Sequence, residues 1–199
     1  MTLSRPCIVV AVAILIAWGR LGAQQAPENA AGAAAAGEAV QAEPEIDLGP
    51  IAEAIRTAAD PVAAADAYAR GFAVDPNNLP LHKAYLARML EADLPEMAYD
   101  SARVVAAAEA DHDVAWSVLA HQHIRRGQAA QAAAALVRAA GIVKENAFAQ
   151  AVAGEVLGTM AARAEAVSLP RSVRNGLKAV QLAVANTDPY RRAYRKARR

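Results

Sequence analysis

The chain has 199 residues, 55% of them hydrophobic but only 5% aromatic, with 21% charged and a formal net charge of +1. Its apolar fraction comes largely from alanine, which favours helix and adds little bulk; this argues for closely packed helices and against a β-sandwich, which needs β-branched and aromatic residues. The near-neutral balance gives no whole-molecule signature of a nucleic-acid binder, and the single Cys7 excludes an internal disulfide or a multi-cysteine metal site.

In chain order, Arg5 precedes an apolar run from Cys7 to Trp18, closed by Arg20 and the small-residue exit Leu21-Gly22-Ala23. A short positive start, an apolar core and a small-residue exit describe a secretory signal peptide over residues 1–23, and hence an exported protein, periplasmic or secreted. The 13 residues from Cys7 to Gly19 would span about 20 Å as a helix, against a bilayer core of about 30 Å, and a retained N-terminal membrane anchor is the alternative. Residues 24–50, QQAPENAAGAAAAGEAVQAEPEIDLGP, carry almost no large apolar side chain. They cannot bury enough surface to offset their ordering entropy and are expected to form a disordered linker.

After Pro50 the pattern becomes helical, and residues 51–188 read as one helical domain. The expected helices run from Ile51 to Ala59, Pro61 to Val74 with Asp60 as N-cap, Leu81 to Ala92 and Glu96 to Ala110. Val114 to Arg126 follows, flanked at its start by Asp111 and Asp113 as capping carboxylates and stopped by Gly127. Ala129 to Ile142, Asn146 to Arg163 and Leu169 to Asn186 complete the series. No stretch alternates with period two, so the fold class is all-α.

His82 and Trp116 stand 34 residues apart at the same point of successive helical hairpins. Around them, Ala64, Tyr68, Gly71 and Pro76 mark one second helix; Tyr85, Leu86 and Met89 mark a first helix, followed by Ala98, Ala102 and Val105. Trp116, Leu119, Ala120, Gly127, Ala132, Leu136 and Ala139 form the next pair, and Gly154 and Leu157 open a fourth. In these residues the segment 60–162 resembles the tetratricopeptide repeat family. Residues 169–183 resemble a variant second helix of some bacterial members. The resemblance implies a right-handed α-solenoid of three to four helix-turn-helix repeats, with Trp116 filling a hole between helices. It further implies a non-enzymatic interaction module whose concave groove, lined by first helices, takes a peptide or helix of an envelope partner. The groove residues would be Lys83, Leu90, His121, Ile124, Arg125, Phe148 and Glu155. Leu90, Ile124 and Phe148 would supply apolar contact, while Lys83 and Arg125 would select an acidic partner. A terminal piece of a longer array, with a structural role alone, is the competing reading.

Neither metal, cofactor nor catalysis is expected. His121 and His123, two residues apart on a helix, point about 200° from each other, and His82 and His123 read as packed core histidines. Ser101, Ser117, Ser168 and Ser172 lack a nucleophile-elbow glycine pattern, and no glycine-rich phosphate loop is present. The last segment, 189–199, carries Arg191, Arg192, Arg195, Lys196, Arg198 and Arg199 without an acid. It reads as a solvated, frayed helix end with few buried contacts, and anionic lipid or a polyanion is its alternative partner. Tyr190 and Tyr194 between the arginines invite a nucleic-acid reading, which the export signal argues against.

Overall fold

A computed structural model describes residues 47–163 and 169–199. The expected signal peptide, and the expected linker up to residue 46, lie outside the described residues. Among the described residues every regular element is a helix. They are α1 (Gly49–Arg56), α2 (Pro61–Val74), α3 (Leu79–Glu91), α4 (Tyr99–Ala108) and α5 (Asp113–Arg125). Then come α6 (Ala129–Arg138), a 3-10 turn (Ala139–Gly141), α7 (Ala147–Arg163), α8 (Arg171–Val184) and α9 (Asp188–Ala197). The fold is all-α, as the alanine-rich, non-alternating sequence requires.

Local chemistry explains where these helices start. Asp60 accepts a hydrogen bond from the Ala63 amide at 2.8 Å, with Pro61 in the first turn of α2. Asn78 caps α3 by accepting from Leu81 N at 3.2 Å, so that helix begins two residues ahead of the expected Leu81. The chain enters the core earlier than expected as well. Leu48 is already buried and α1 starts at Gly49, so the expected linker boundary at residue 50 lies too far along the chain. Helix α4 starts at Tyr99 and not Glu96, because Pro95 and its neighbours form a turn. The cap of α5 is neither Asp111 nor Asp113 but His112, whose Nδ1 accepts from the Ala115 amide at 3.3 Å.

Two inter-helix turns share one geometry. After α3, Asp93 adopts φ 58°, and Leu94 N donates to Met89 O at 2.9 Å. After α5, Gly127 adopts φ 73°, and Gln128 N donates to His123 O at 2.8 Å. Both are left-handed C-terminal caps in which the amide two residues past the C-cap residue satisfies an orphan carbonyl. They stand 34 residues apart in the chain.

From α1 to α7 each helix packs on its successor, and α1 also meets α3 as α5 meets α7. Small residues make these approaches possible. Ala64, Ala98 and Ala132, again spaced by 34, are completely buried. Leu81, Leu86, Met89, Val105, Val118, Leu136 and Val156 fill the interior.

Several residues take other places than expected. Trp116 is half-buried: its indole N–H donates to Ala110 O at 2.9 Å, and the Arg138 guanidinium lies 4.4 Å from the centre of its ring. It plugs no interior hole. His82 is buried, but His123 is partly exposed and hydrogen-bonds Gln128 Oε1 at 2.7 Å.

The largest departure is at the C-terminus. The expected frayed tail is helix α9, seated on α7. Thr187 and Asp188-Pro189 supply the helix start, Tyr190 is buried, and Tyr194 and Ala197 are half-buried. Gly154 and Gly158 of α7 allow the contact. A β-carbon on Gly154 would strike the Tyr190 carbonyl; one on Gly158 would stand 2.8 Å from Tyr194 O and 2.9 Å from Ala197 Cβ. Glycines four residues apart share one helix face, and here they let two backbones approach.

Candidate functional site

Helices α5, α7 and α9 and the turn between α3 and α4 enclose a cleft of about 470 Å³. His121 and Arg125 come from α5, Phe148, Glu155 and Thr159 from α7, and Lys196 from α9. Asp93 and Glu96 close it from the turn. Four of the residues expected in a groove, His121, Arg125, Phe148 and Glu155, are thus brought together.

The other three are not. Lys83 is occupied elsewhere, by a 2.5 Å ion pair with Glu109. Ile124 is buried in the core, and Leu90 packs partly buried against it. On α5 an apolar residue next to Arg125 turns toward the interior, because 100° of helix rotation separates adjacent side chains. Apolar lining in the cleft is supplied instead by Phe148, Ala151, Val152 and Ala193.

His121 organises the cleft floor. Its Nδ1 lies 3.1 Å from Glu155 Oε2, and its ring meets Phe148 edge-on at 5.9 Å between centroids. Its Nε2 is buried without a hydrogen bond, 3.8 Å from Glu96 Oε1. His121 therefore stands between two carboxylates from separate elements. The cations are placed differently. Among the described residues neither Arg125 nor Lys196 makes an ion pair, and both are exposed. Two of the cleft's three acids, Glu96 and Glu155, thus stand at a histidine, and among the described residues its two cations form no ion pair.

A second cleft, of about 760 Å³, lies along α2 and α4 and is lined by Tyr68, Phe72, Arg103, Trp116 and Arg138. Most of its polar groups are already engaged. Arg138 stacks on Trp116, and Arg103 lies 3.7 Å from Asp100. His82 Nε2 donates to Pro76 O at 2.9 Å, since the carbonyl can only accept, and the other ring nitrogen, Nδ1, faces Tyr68 and Ser101. Tyr68 OH lies 3.0 Å from that Nδ1, and Ser101 Oγ lies 3.2 Å from both. Tyr68 also stacks on Tyr85 at 4.2 Å and 16°. Burial pushes the phenol pKa of Tyr68 up, which a hydrogen bond from Ser101 partly opposes, and burial does the same at Tyr85. This cluster ties α2, α3 and α4 together, and its internal satisfaction marks it as structural. The larger cleft is the weaker ligand site for that reason.

Sequence reasoning placed Lys196 in a basic tail and not in the cleft, and it missed Glu96 and the Tyr68–His82–Ser101 cluster. The signal for Lys196 was present: Tyr190, Ala193, Tyr194 and Ala197 recur at helical spacing, opposite the arginines and behind an Asp-Pro start. Among the described residues no helix is long and apolar enough to cross a membrane. The chain matches no family model, no curated protein and no solved structure.

Proposed function

We propose that this chain is an exported, non-enzymatic interaction module of tetratricopeptide-like repeats that holds an acidic peptide or helix of an envelope partner in the α5–α7–α9 cleft. One observation carries the ligand class: Arg125 and Lys196 face a cleft with apolar lining and, among the described residues, form no ion pair, whereas Glu155 and Glu96 stand at His121. An acidic side chain beside an apolar one satisfies both features, charge giving selectivity and Phe148 the apolar contact.

The repeat reading is supported by two sets of residues at a 34-residue interval: the left-handed caps Asp93 and Gly127, and the buried Ala64, Ala98 and Ala132. A right-handed solenoid is the arrangement such hairpins adopt when stacked. The export reading rests on residues 1–23 and on the sequence alone. Mass spectrometry of the protein from its native cell tests it, with Gln24 as the expected N-terminus and an intact Met1 as the opposing result.

Selection from a random peptide library tests the cleft. Binders enriched in Asp or Glu next to an apolar residue are expected, and Arg125→Glu/Lys196→Glu abolishes their binding while preserving the helical signal. Binders without acidic residues, or binding indifferent to that double substitution, overturn the assignment.

A further inference from the structure

We infer that the exposed face of α9 is a docking surface for an anionic phospholipid bilayer, distinct from the peptide cleft. The chain is electrically divided. From Arg171 onward there are nine Lys and Arg against the single acid Asp188, a net +8, whereas the preceding 170 residues hold twelve basic and nineteen acidic residues, a net −7. Such a division produces a strong local field despite a near-neutral whole.

Helix α9 turns that charge into a fixed surface. Ala193 and Ala197 meet α7, Tyr190 is buried and Tyr194 half-buried, while Arg191, Arg192, Arg195, Lys196, Arg198 and Arg199 are all exposed. Among the described residues none of these six pairs with a carboxylate. Some have internal tasks. Arg191 bonds Ala185 O at 3.1 Å and Asn186 Oδ1 at 3.0 Å across the α8–α9 turn, and Arg198 lies 5.8 Å from the Tyr194 ring centre. Arg192 and Arg195, three residues apart, share one face of a helix about 15 Å long, and Arg199 follows two residues past its end.

The chemistry of the face favours lipid over nucleic acid. Single-stranded nucleic acid is held by bases stacking on aromatic platforms, whereas Tyr190 of α9 is buried and Tyr194 half-buried, the two stacking on each other at 5.4 Å. Beyond Asp188 the exposed positions of the helix are arginine and lysine alone, with no amide side chain to read a base edge. An anionic bilayer asks only for cations held at a plane. With its apolar arc already covered, α9 would lie on the headgroups without inserting.

Vesicle sedimentation of the full chain tests this, using phosphatidylcholine with and without phosphatidylglycerol, at low and at physiological salt. The decisive variant is Arg192→Gln/Arg195→Gln/Arg199→Gln, which leaves Tyr190, Tyr194 and Lys196 in place; circular dichroism checks its folding. Partitioning onto the anionic vesicles is expected to fall about a hundredfold, since each basic residue near such a surface contributes roughly a factor of five. The same three sites changed to lysine should retain most of it, and the difference between wild type and the glutamine variant should shrink as salt rises. Equal binding by wild type and glutamine variant, a salt-insensitive difference, or loss in the lysine variant would overturn the proposal. So would duplex DNA that displaces the protein from vesicles at equal phosphate, which would assign the face to nucleic acid instead.

Discussion

The carbonyl oxygen of Tyr194 lies 2.8 Å from the place where a β-carbon on Gly158 would stand. That proximity joins the last helix to α7 along a face that only glycine leaves open, and it sets one wall of the cleft through Lys196. Replacing Gly158 with leucine should force α9 away and cost about 1–3 kcal/mol, as overpacking does. Truncation after Thr187 should also destabilise, because burying a large side chain such as Tyr190 contributes about 1.5–3 kcal/mol. Urea titrations of the three chains check both, and identical midpoints would mean that α9 is not seated on α7.

Trp116 and Met89 should respond unequally to truncation. Met89 is fully buried, and Met89→Ala is expected to cost about 2–5 kcal/mol. Trp116 lies half-buried under Arg138, so Trp116→Ala should lose mainly a cation–π contact and partial burial, on the order of 1–2 kcal/mol. Chemical denaturation of both variants measures the gap. A Trp116 cost as large as that of Met89 would contradict the half-buried placement.

Stability should decline in alkali. Burial raises the phenol pKa of Tyr68, Tyr85 and Tyr190 above the usual 10.0, with Asp100, Tyr68 and Tyr194 respectively adding to the shift. Above pH 10 the unfolded chain therefore holds fewer protons on these phenols than the folded one, and unfolding becomes easier as pH rises. The stabilisation is complete below the unfolded value and is lost as pH climbs through the raised folded values. Absorbance titration at the phenolate band, native against urea-unfolded, should show part of the tyrosine signal delayed in the native protein. Superimposable curves would refute it.

The two left-handed turns predict opposite responses. Gly127→Ala places a β-carbon at φ 73°, for which the expected cost is about 1–2 kcal/mol, although nothing crowds the site. Asp93→Gly relieves a side-chain residue at φ 58° and should be neutral or stabilising by up to about 1 kcal/mol. Thermal melts of the two variants displaced in the same direction would show that the turns do not share a geometry.

Much of the fold was legible because its signals are local. Asp60-Pro61 announced α2 through capping chemistry, Gly127 announced a stop through its freedom at positive φ, and alanine content announced close helix packing. The expected bounds erred where a neighbour competed for the same role. His112 caps α5 between two aspartates, and Pro95 shortens α4 by turning the chain before it. Four of the seven residues expected in a groove, His121, Arg125, Phe148 and Glu155, line the cleft, and they occupy helix faces that periodicity can assign.

The sequence by itself determined that the described chain is helical, where most helices begin and end, and that its C-terminal segment concentrates positive charge. These follow from propensity, capping and composition, which act within a few residues. Only the tertiary structure decided that Lys83 answers Glu109, that Ile124 belongs to the core, and that Trp116 lies beneath Arg138 at the surface. It alone decided that α9 is seated on α7 with Tyr190 buried, so that Lys196 reaches the cleft beside Arg125. Each of these is a choice of partner far along the chain. An isolated amphipathic helix has an apolar face but no address for it; Gly154 and Gly158 supply that address only once α7 and α9 meet.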